Sequence, residues 1–335
     1  MTLLDLPDFM ATKRILVVSD LHGSRMAYGK LSNAPKIYDC DMVILAGDLT
    51  GKAVVPIVNR GNTTYDVVIF GDHKIIKENE LEGTIKTIEM SGYYTAVMSR
   101  EEHEEISSND NRINELFLKV EREKLGGALA QIDAKYSKDD VKLFIMPGND
   151  DSESISRFVE QYTDGSKTFI DIDEGIANFE DLQLLGFGYS NKTPWNSPRE
   201  LTEEEIDRRL NELFDRSEQK RMNKTIAVIH VPPYDTMIDK APELTADLRP
   251  VIKGGDAVMK SVGSRSVRSL IEKYSPMLGV HGHIHESAGV DYIRDRSTKK
   301  VPVLNAGSEY QDGVLRGALL TLSDSGIENI MLTRG

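Results

Sequence analysis

Five short apolar segments, each followed at once by polar residues, constrain the fold of this chain more than any other feature. Their lengths and β-branched content are typical of buried strands. The segments and their polar ends are Lys13–Ser19 before Asp20-Leu21-His22-Gly23, Asp41–Ala46 before Gly47-Asp48, Val141–Met146 before Pro147-Gly148-Asn149-Asp150, Thr225–Ile229 before His230, and Met277–Val280 before His281-Gly282-His283-Ile284-His285. Because the carboxyl ends of strands in an open α/β sheet lie at one edge, we expect these polar residues to form a single site.

The residue types at these strand ends indicate a metal centre. Five of the seven histidines lie there, namely His22, His230, His281, His283 and His285. Residues two apart in an extended chain point the same way, so Asp20 can converge with His22, and His283 with His285. Imidazole and carboxylate donors suit manganese, iron, zinc, cobalt or nickel, and the absence of thiolates argues against a structural zinc site. The donor set is too rich for one ion and predicts two divalent metal ions.

In this order, the five blocks resemble the calcineurin-like metallophosphoesterase superfamily, whose pattern is D-x-H, G-D, G-N-H-D/E, H and G-H-x-H. The resemblance covers about residues 13–335, apart from an insertion. Two further segments, Gly186–Trp195 and Gly307–Tyr310, resemble an uncharacterised prokaryotic phosphoesterase subgroup. The resemblance implies an α/β fold: a four-layer αββα sandwich of two mixed sheets flanked by helices.

The resemblance also implies the roles of individual residues. The first metal ion would be bound by Asp20, His22 and His285, the second by Asn149, His230 and His283, with Asp48 bridging both. The implied activity is metal-dependent hydrolysis of a phosphoric ester, a small phosphodiester or phosphomonoester. Two ions about 3.5–4 Å apart share a hydroxide that attacks in line. The Asn149 amide is also able to donate to a phosphate oxygen.

The sequence departs from the superfamily pattern at Asp150, where a histidine usually protonates the leaving oxygen. An aspartate with its ordinary pKa of about 3.9 is ionised at neutral pH and has no proton to give. Its charge would cancel the +1 left by two divalent ions, Asp20, Asp48 and a hydroxide. We therefore expect a preference for diesters or activated leaving groups, unless burial protonates Asp150 or His281 acts instead. Asn149, Asp150 and His281 are the candidate catalytic residues.

Other patterns predict the rest of the architecture. Helical periodicity is found at Asn111–Leu125, Asp151–Tyr162, Thr202–Leu213 and Ser264–Tyr274, and Thr202 with Glu205 forms a capping box. About ninety residues separate the second apolar segment from the third, more than a crossover needs. We predict one domain over residues 1–335 with a β-rich insertion at 54–98, serving as a lid or as a packing surface. Its predicted strands are Thr64–Phe70, His73–Lys77, Thr84–Met90 and Tyr93–Met98, and the strands after Lys167 are expected to form the second sheet.

Composition limits the function classes. The 41 basic and 54 acidic residues give a net charge of −13, which disfavours nucleic acid as a partner. A single cysteine, no signal peptide in Met1–Thr12 and apolar runs too short for a bilayer indicate a cytoplasmic protein without a membrane partner. A small phosphate ester is the expected ligand, and a homo-oligomer is left open. The alternative functions are a nuclease, or a metal-bound scaffold or regulator with little activity.

Overall fold

The computed structural model describes residues 12–69 and 71–335. Residues 1–11, which belong to the segment judged not to be a signal peptide, and Phe70 lie outside the described residues. The strands are β1 (Lys13–Val18), β2 (Met42–Ala46), β3 (Val54–Gly61), β4 (Thr64–Ile69), β5 (Asp72–Lys77), β6 (Tyr94–Met98), β7 (Lys142–Met146), β8 (Phe169–Asp171), β9 (Ile176–Phe179), β10 (Leu182–Phe187), β11 (Ser190–Asn191), β12 (Glu200–Leu201), β13 (Thr225–Ile229), β14 (Lys240–Pro242), β15 (Ile252–Lys253), β16 (Asp256–Ala257), β17 (Met259–Ser261), β18 (Leu278–His281), β19 (Gly289–Arg294), β20 (Lys300–Asn305), β21 (Arg316–Ser323) and β22 (Gly326–Arg334). The α-helices are α1 (Arg25–Leu31), α2 (Ala34–Tyr38), α3 (Glu78–Met90), α4 (Arg100–Ser107), α5 (Asp110–Tyr136), α6 (Glu153–Gly165), α7 (Glu203–Asp215) and α8 (Arg265–Tyr274).

Two six-stranded mixed sheets form the centre of the molecule. The first has the order β22-β21-β1-β2-β7-β8, and the second has the order β19-β20-β18-β13-β10-β9. In the first sheet β1, β2, β7 and β8 are parallel, while β21 and β22 pair in the antiparallel sense. In the second, β10, β13, β18 and β20 are parallel. The parallel strands in each sheet bring the five polar clusters to the sheet edges where those strands end.

Three apolar cores separate four layers. The strands of the two sheets face each other across a core that includes Ile44, Phe144 and Val228. The other face of the first sheet packs against α1, α2, α5 and α6, and that of the second sheet packs against α7 and α8. This is the four-layer αββα sandwich of two mixed sheets that the sequence resemblance implied, and the fold prediction is confirmed.

The four helices predicted from periodicity are present as α5, α6, α7 and α8. The predicted capping box at α7 also forms: the Glu205 N–H donates to the Thr202 hydroxyl, and the Thr202 N–H donates to the Glu205 carboxylate at 2.9 Å. These bonds satisfy N–H groups that have no partner within the helix. Among the described residues, no helix is both long enough and apolar enough to cross a bilayer.

Between β2 and β7 the chain forms a separate four-stranded sheet, ordered β5-β4-β3-β6, with α3 packed on it. The prediction of a strand at Thr84–Met90 is wrong, because these residues belong to α3. Their β-branched residues suggested a strand. The Glu80 carboxylate, however, accepts from the Lys77 N–H at 2.8 Å and caps the helix start, and Leu81, Ile85 and Ile88 face the small sheet at helical spacing.

The C-terminal strands also differ from expectation. The second sheet was expected to hold all the strands after Lys167, but β21 and β22 join the first sheet beside β1. Alternating apolar residues define a strand without specifying the sheet that it joins. The chain thus leaves the first sheet after β8, builds the second, and returns to complete the first.

Candidate metal centre

Four of the candidate metal ligands lie just beyond strand ends in the left-handed region of backbone conformation. The φ angles are +56° at Asp20, +42° at His22, +52° at Asp48 and +67° at His283. Such angles are uncommon outside glycine and are strained. The alternation of an extended strand therefore does not explain the convergence of Asp20 with His22, or of His283 with His285. Sharp turns after each strand aim these side chains inward.

The first group of converging donors consists of Asp20, His22, Asp48 and His285, each contributing one ligand atom within 4.8 Å of the others. His22 Nε2 lies 3.1 Å from His285 Nε2 and 3.5 Å from Asp48 Oδ2. His285 Nε2 lies 3.4 Å from Asp20 Oδ1. Two imidazole nitrogens and two carboxylates that face one another in this way are a suitable donor set for a borderline divalent cation.

The second group is centred on Asn149 and shares Asp48 with the first. Asn149 Oδ1 lies 2.7 Å from His283 Nδ1 and 3.0 Å from His230 Nε2. His230 Nε2 is also 3.5 Å from Asp48 Oδ1, whereas the other oxygen of Asp48 faces His22. The seven residues therefore form two donor groups with the Asp48 carboxylate between them, and both groups fit divalent ions by donor type.

Burial and charge fix the protonation of these side chains. Burial lowers the pKa of His22 well below its ordinary value and lowers that of His283 to about 3, so both imidazoles are neutral and able to bind a metal. Burial also opposes protonation of His230. The carboxylates of Asp48 and Asp20 outweigh it there, and they raise the His230 pKa to about 9. Metal binding at His230 therefore has to displace a proton.

Glycines allow the loops to approach one another closely. Gly47 has a φ of +108°, and a Cβ there would lie 2.3 Å from His230 Nδ1. A Cβ at Gly282 would lie 1.9 Å from the Ser19 hydroxyl and 2.5 Å from Asp20 Oδ2. Side chains at these positions would push the second sheet's histidines away from the first sheet's carboxylates.

Asp151 ties two of the ligand-bearing loops together beneath the centre. Its buried carboxylate accepts from the N–H groups of Leu49, Thr50 and Gly148 at 2.7–2.9 Å. The Thr50 hydroxyl lies 2.6 Å from Asp151 Oδ1 and 2.7 Å from the buried Glu121 of α5. This network fixes the loop after β2, which carries Asp48, against the loop after β7, which carries Asn149.

Asp150 lies beside the centre and contacts two of the candidate ligands. Its N–H donates to Asp48 Oδ1 at 2.9 Å, and its carboxylate receives hydrogen bonds from Asn149 Nδ2 and the Ser197 hydroxyl. The Lys52 ammonium lies 2.8 Å from Asp150 Oδ2. Burial disfavours the charged form, but Lys52 and Ser197 outweigh it and lower the Asp150 pKa to about 2. The surroundings of Asp150 therefore favour its charged form.

The structure does not bring His281 to the donor groups. Its Nδ1 bonds to the backbone carbonyls of Ile229 and Val231 at 2.7 and 3.1 Å. A Cβ on Gly279 would contact His281 Nε2. This nitrogen therefore lies on the side of the second sheet that packs against α8. Burial lowers the His281 pKa to about 4. The sequence-based suggestion that His281 protonates the leaving oxygen is corrected: this ring is a core residue.

Two residues near the centre were not singled out from sequence. Lys52 lies four residues after Asp48. A cationic residue so close to a candidate ligand in the same loop was the sequence signal that could have identified it. Tyr310 places its ring centroid 4.5 Å from that of His22 and 5.8 Å from that of His285. Its segment carried the subgroup resemblance, but the ring contact depends on β20 lying beside β18, which periodicity does not reveal.

Comparison with known proteins gives a family match over most of the chain. A family model described as "Calcineurin-like phosphoesterase" matches residues 13–287. Uncharacterized protein MJ1162 of Methanocaldococcus jannaschii is 32% identical over 157 residues, a stretch covering 46% of this chain and 61% of that protein. This chain therefore spans less than two thirds of the length of that relative.

Solved structures resemble the whole chain at low sequence identity. One crystal structure, 16% identical, superimposes with a TM-score of 0.58 and covers 97% of this chain and 99% of its own. The protein TT1561 of Thermus thermophilus, 12% identical, has a TM-score of 0.49 at the same coverage of both chains. At 16% identity, the first likeness shows a shared fold.

Proposed function

Because the chain belongs to the calcineurin-like phosphoesterase family, we propose that it is a dinuclear-metal-dependent phosphoesterase that hydrolyses a small phosphodiester or phosphomonoester. The observation that carries the proposal is the convergence of seven donors from five loops in two sheets on the shared carboxylate of Asp48. A site that served only to stabilise the fold would not need two such groups.

The seven donor residues would hold two ions. Asp20, His22 and His285 would hold one ion, Asn149, His230 and His283 the other, and Asp48 both. Two divalent ions, when bound, supply Lewis acidity toward the phosphate and lower the pKa of a water molecule between them. Asn149 contributes further, since its amide has two N–H donors and Asp150 accepts only one of them. The second is available to a phosphate oxygen.

The protonation states around the centre limit the choice of leaving group. With Asp150 ionised and His281 turned into the core, neither supplies a proton to the leaving oxygen. General-acid catalysis typically contributes about 10²–10⁴-fold. Esters with activated leaving groups should therefore be hydrolysed faster than alkyl esters of the same charge.

Hydrolysis of bis(p-nitrophenyl) phosphate with Mn²⁺ tests the proposal. We expect turnover by the wild type, its loss in EDTA, and a fall of at least ~10²-fold in Asp48→Asn together with a reduced metal content. Asp164→Asn, the same change at an exposed position on α6, should retain wild-type activity.

The alternatives give different outcomes. The protein would instead be a metal-bound scaffold or regulator if the wild type binds metal but turns over no mono- or diester, and if Asp48→Asn shows no loss of activity relative to it. Turnover of single-stranded DNA well above that of the small diester would favour a nuclease.

A further inference from the structure

We propose that Lys52 is a substrate-binding residue whose ammonium contacts a phosphate-ester oxygen, and that Asp150 and Ser197 are positioning residues that hold it there. This inference rests on the proposed phosphoesterase function. The site needs a cationic side chain in addition to the metal ions. This inference places that side chain on the loop after β2 and not on the loop after β7.

The position of the ammonium supports contact with substrate. Lys52 Nζ lies 2.8 Å from Asp150 Oδ2, and the Asp150 N–H in turn donates to the bridging residue Asp48. The Lys52 side chain is 46% exposed, so it is accessible from solvent although its partner is only 22% exposed. An ammonium has three N–H donors, and within residues 12–69 and 71–335 Asp150 is its one hydrogen-bond partner.

The backbone that carries Lys52 is fixed on its N-terminal side. The N–H groups of Leu49 and Thr50 donate to Asp151, and the Gly51 N–H donates to the Tyr94 hydroxyl at 2.9 Å. Three consecutive residues before Lys52 are thus bonded to buried groups from other elements. Only the side chain of Lys52 is left to adjust, which keeps the ammonium within reach of Asp150 beside the metal centre.

Asp150 is held in a similar way from the opposite side. One carboxylate oxygen receives the Ser197 hydroxyl and the Asn149 amide, which leaves the other oxygen for Lys52. Ser197 belongs to a loop organised by Glu200, which accepts from the N–H groups of Thr193 and Ser197 at 3.0 and 3.1 Å. The carboxylate therefore has a fixed orientation and directs the ammonium.

Charge explains why such a pair is useful. The charge count made from sequence alone included Asp150 but omitted Lys52, and it is wrong on that point. The ammonium neutralises Asp150 and would restore the net +1 of the loaded centre, which removes the charge reason for a diester to be preferred over a dianionic monoester. A fixed cation at the site also stabilises charge that develops on the phosphate oxygens.

The test compares Lys52→Met, Lys52→Arg and Asp150→Asn in the metal-loaded full chain, with Lys74→Met, an exposed lysine on β5, as the matched control. Two quantities are measured: kcat/KM for bis(p-nitrophenyl) phosphate, and the inhibition constant of inorganic phosphate. We expect Lys52→Met to lower kcat/KM by about 10²-fold and to weaken phosphate inhibition by at least ~10-fold. Lys52→Arg should recover part of both losses, and Lys74→Met should match the wild type.

A double-mutant cycle separates positioning from direct contact. If Asp150 acts through Lys52, Asp150→Asn should have little further effect in the Lys52→Met background. A full, independent effect there would overturn the positioning role. Wild-type-like kcat/KM and phosphate inhibition in Lys52→Met would reduce the ion pair to a structural contact.

The failure of this inference is distinguishable from that of the proposed function. If the wild type turns over substrate and Lys52→Met is unaffected, only the inference fails. If the wild type does not turn over substrate with any divalent metal, the proposed function fails. The thermal shift caused by inorganic phosphate, compared between wild type and Lys52→Arg or Lys52→Met, still decides whether Lys52 binds the anion. Lys52→Arg also serves if Lys52→Met does not fold.

Discussion

At the scale of single residues, the left-handed backbone of Asp20, His22, Asp48 and His283 places strain where the ligands lie. Each such position costs about 1–3 kcal/mol. Bonds between the two loops hold the conformation: the Asp20 N–H donates to the Gly47 carbonyl and the His22 N–H to the Asp48 carbonyl, at 3.0 and 2.9 Å. Part of the folding free energy therefore offsets the backbone strain that orients the ligand side chains.

Replacement of His283 should reveal this strain. In EDTA we expect His283→Gly to be more stable than His283→Ala by about 1 kcal/mol, because glycine adopts φ = +67° without a Cβ clash. Urea unfolding of both variants measures the difference. At Lys86, exposed in the middle of α3, the order should reverse by a similar amount, since glycine weakens a helix. Greater stability of alanine at both positions would show that the His283 backbone is not strained.

At the scale of elements, the turn between α3 and β6 is one of the contacts that the small sheet and α3 make with the loops around the metal centre. The Ser24 hydroxyl donates to the Met90 carbonyl at the end of α3, and Gly92 follows in the turn before β6. A Cβ on Gly92 would lie 2.4 Å from the Tyr310 ring and 2.9 Å from the His22 carbonyl. The element thus lies against the residues that surround the first donor group.

Gly92→Ala should therefore lower activity, although Gly92 is not itself a candidate ligand. The substitution has to displace either the Tyr310 ring or the turn, and we expect kcat/KM to fall by ~10-fold or more, because small shifts of catalytic groups are costly. Gly83→Ala lies in α3 with no heavy atom within 4 Å of its Cβ. It should raise the free energy of unfolding by about 0.5–1 kcal/mol and leave kcat/KM unchanged. Equal activity of the two variants would show that the turn does not support the site.

The long helix α5 contributes a buried acid whose pKa predicts a pH effect. Burial raises the Glu121 pKa from 4.5 to about 7. Between these values the unfolded chain binds fewer protons than the folded protein, so stability falls as pH rises, by about 3 kcal/mol, and the loss is complete above pH 7. Glu121→Gln keeps the shape and does not titrate.

We expect the stability of Glu121→Gln relative to wild type to increase by about 3 kcal/mol between pH 4.5 and 7.5. Urea unfolding at the two pH values measures it, with exposed Glu123→Gln on the same helix as the control. A constant difference between variant and wild type across this range would mean that the Glu121 pKa is the same in the folded protein as in the unfolded chain.

At the scale of the whole molecule, the sequence predicted what local pattern encodes. The five strands, the helices α5 to α8 and the polar residues after each strand follow from periodicity and spacing, which are local. The sheet that β21 and β22 join and the contact of Lys52 with Asp150 depend on residues far apart in sequence. The helix over Thr84–Met90 has local signals, the Glu80 cap and the helical spacing of Leu81, Ile85 and Ile88, which its β-branched residues obscured. His281 shared its pattern with His283 and His285, and only the direction of its side chain separates it from them.

The donor groups are divided between the two sheets: Asp20, His22, Asp48 and Asn149 follow strands of the first, whereas His230, His283 and His285 follow strands of the second. Bound ions would therefore act as a cross-link between the two layers, in addition to polar contacts that already join them at this edge, such as that between His230 Nδ1 and the Ala46 carbonyl, 2.7 Å apart. By mass action, ion binding to the folded state stabilises it by about 2.7 kcal/mol when the free ion is at 100 times its dissociation constant. Metal supply would then control the lifetime of the protein as well as its proposed activity. Amide hydrogen exchange in β2 and β13 should accelerate together in EDTA, and a protease should cleave the metal-free chain first.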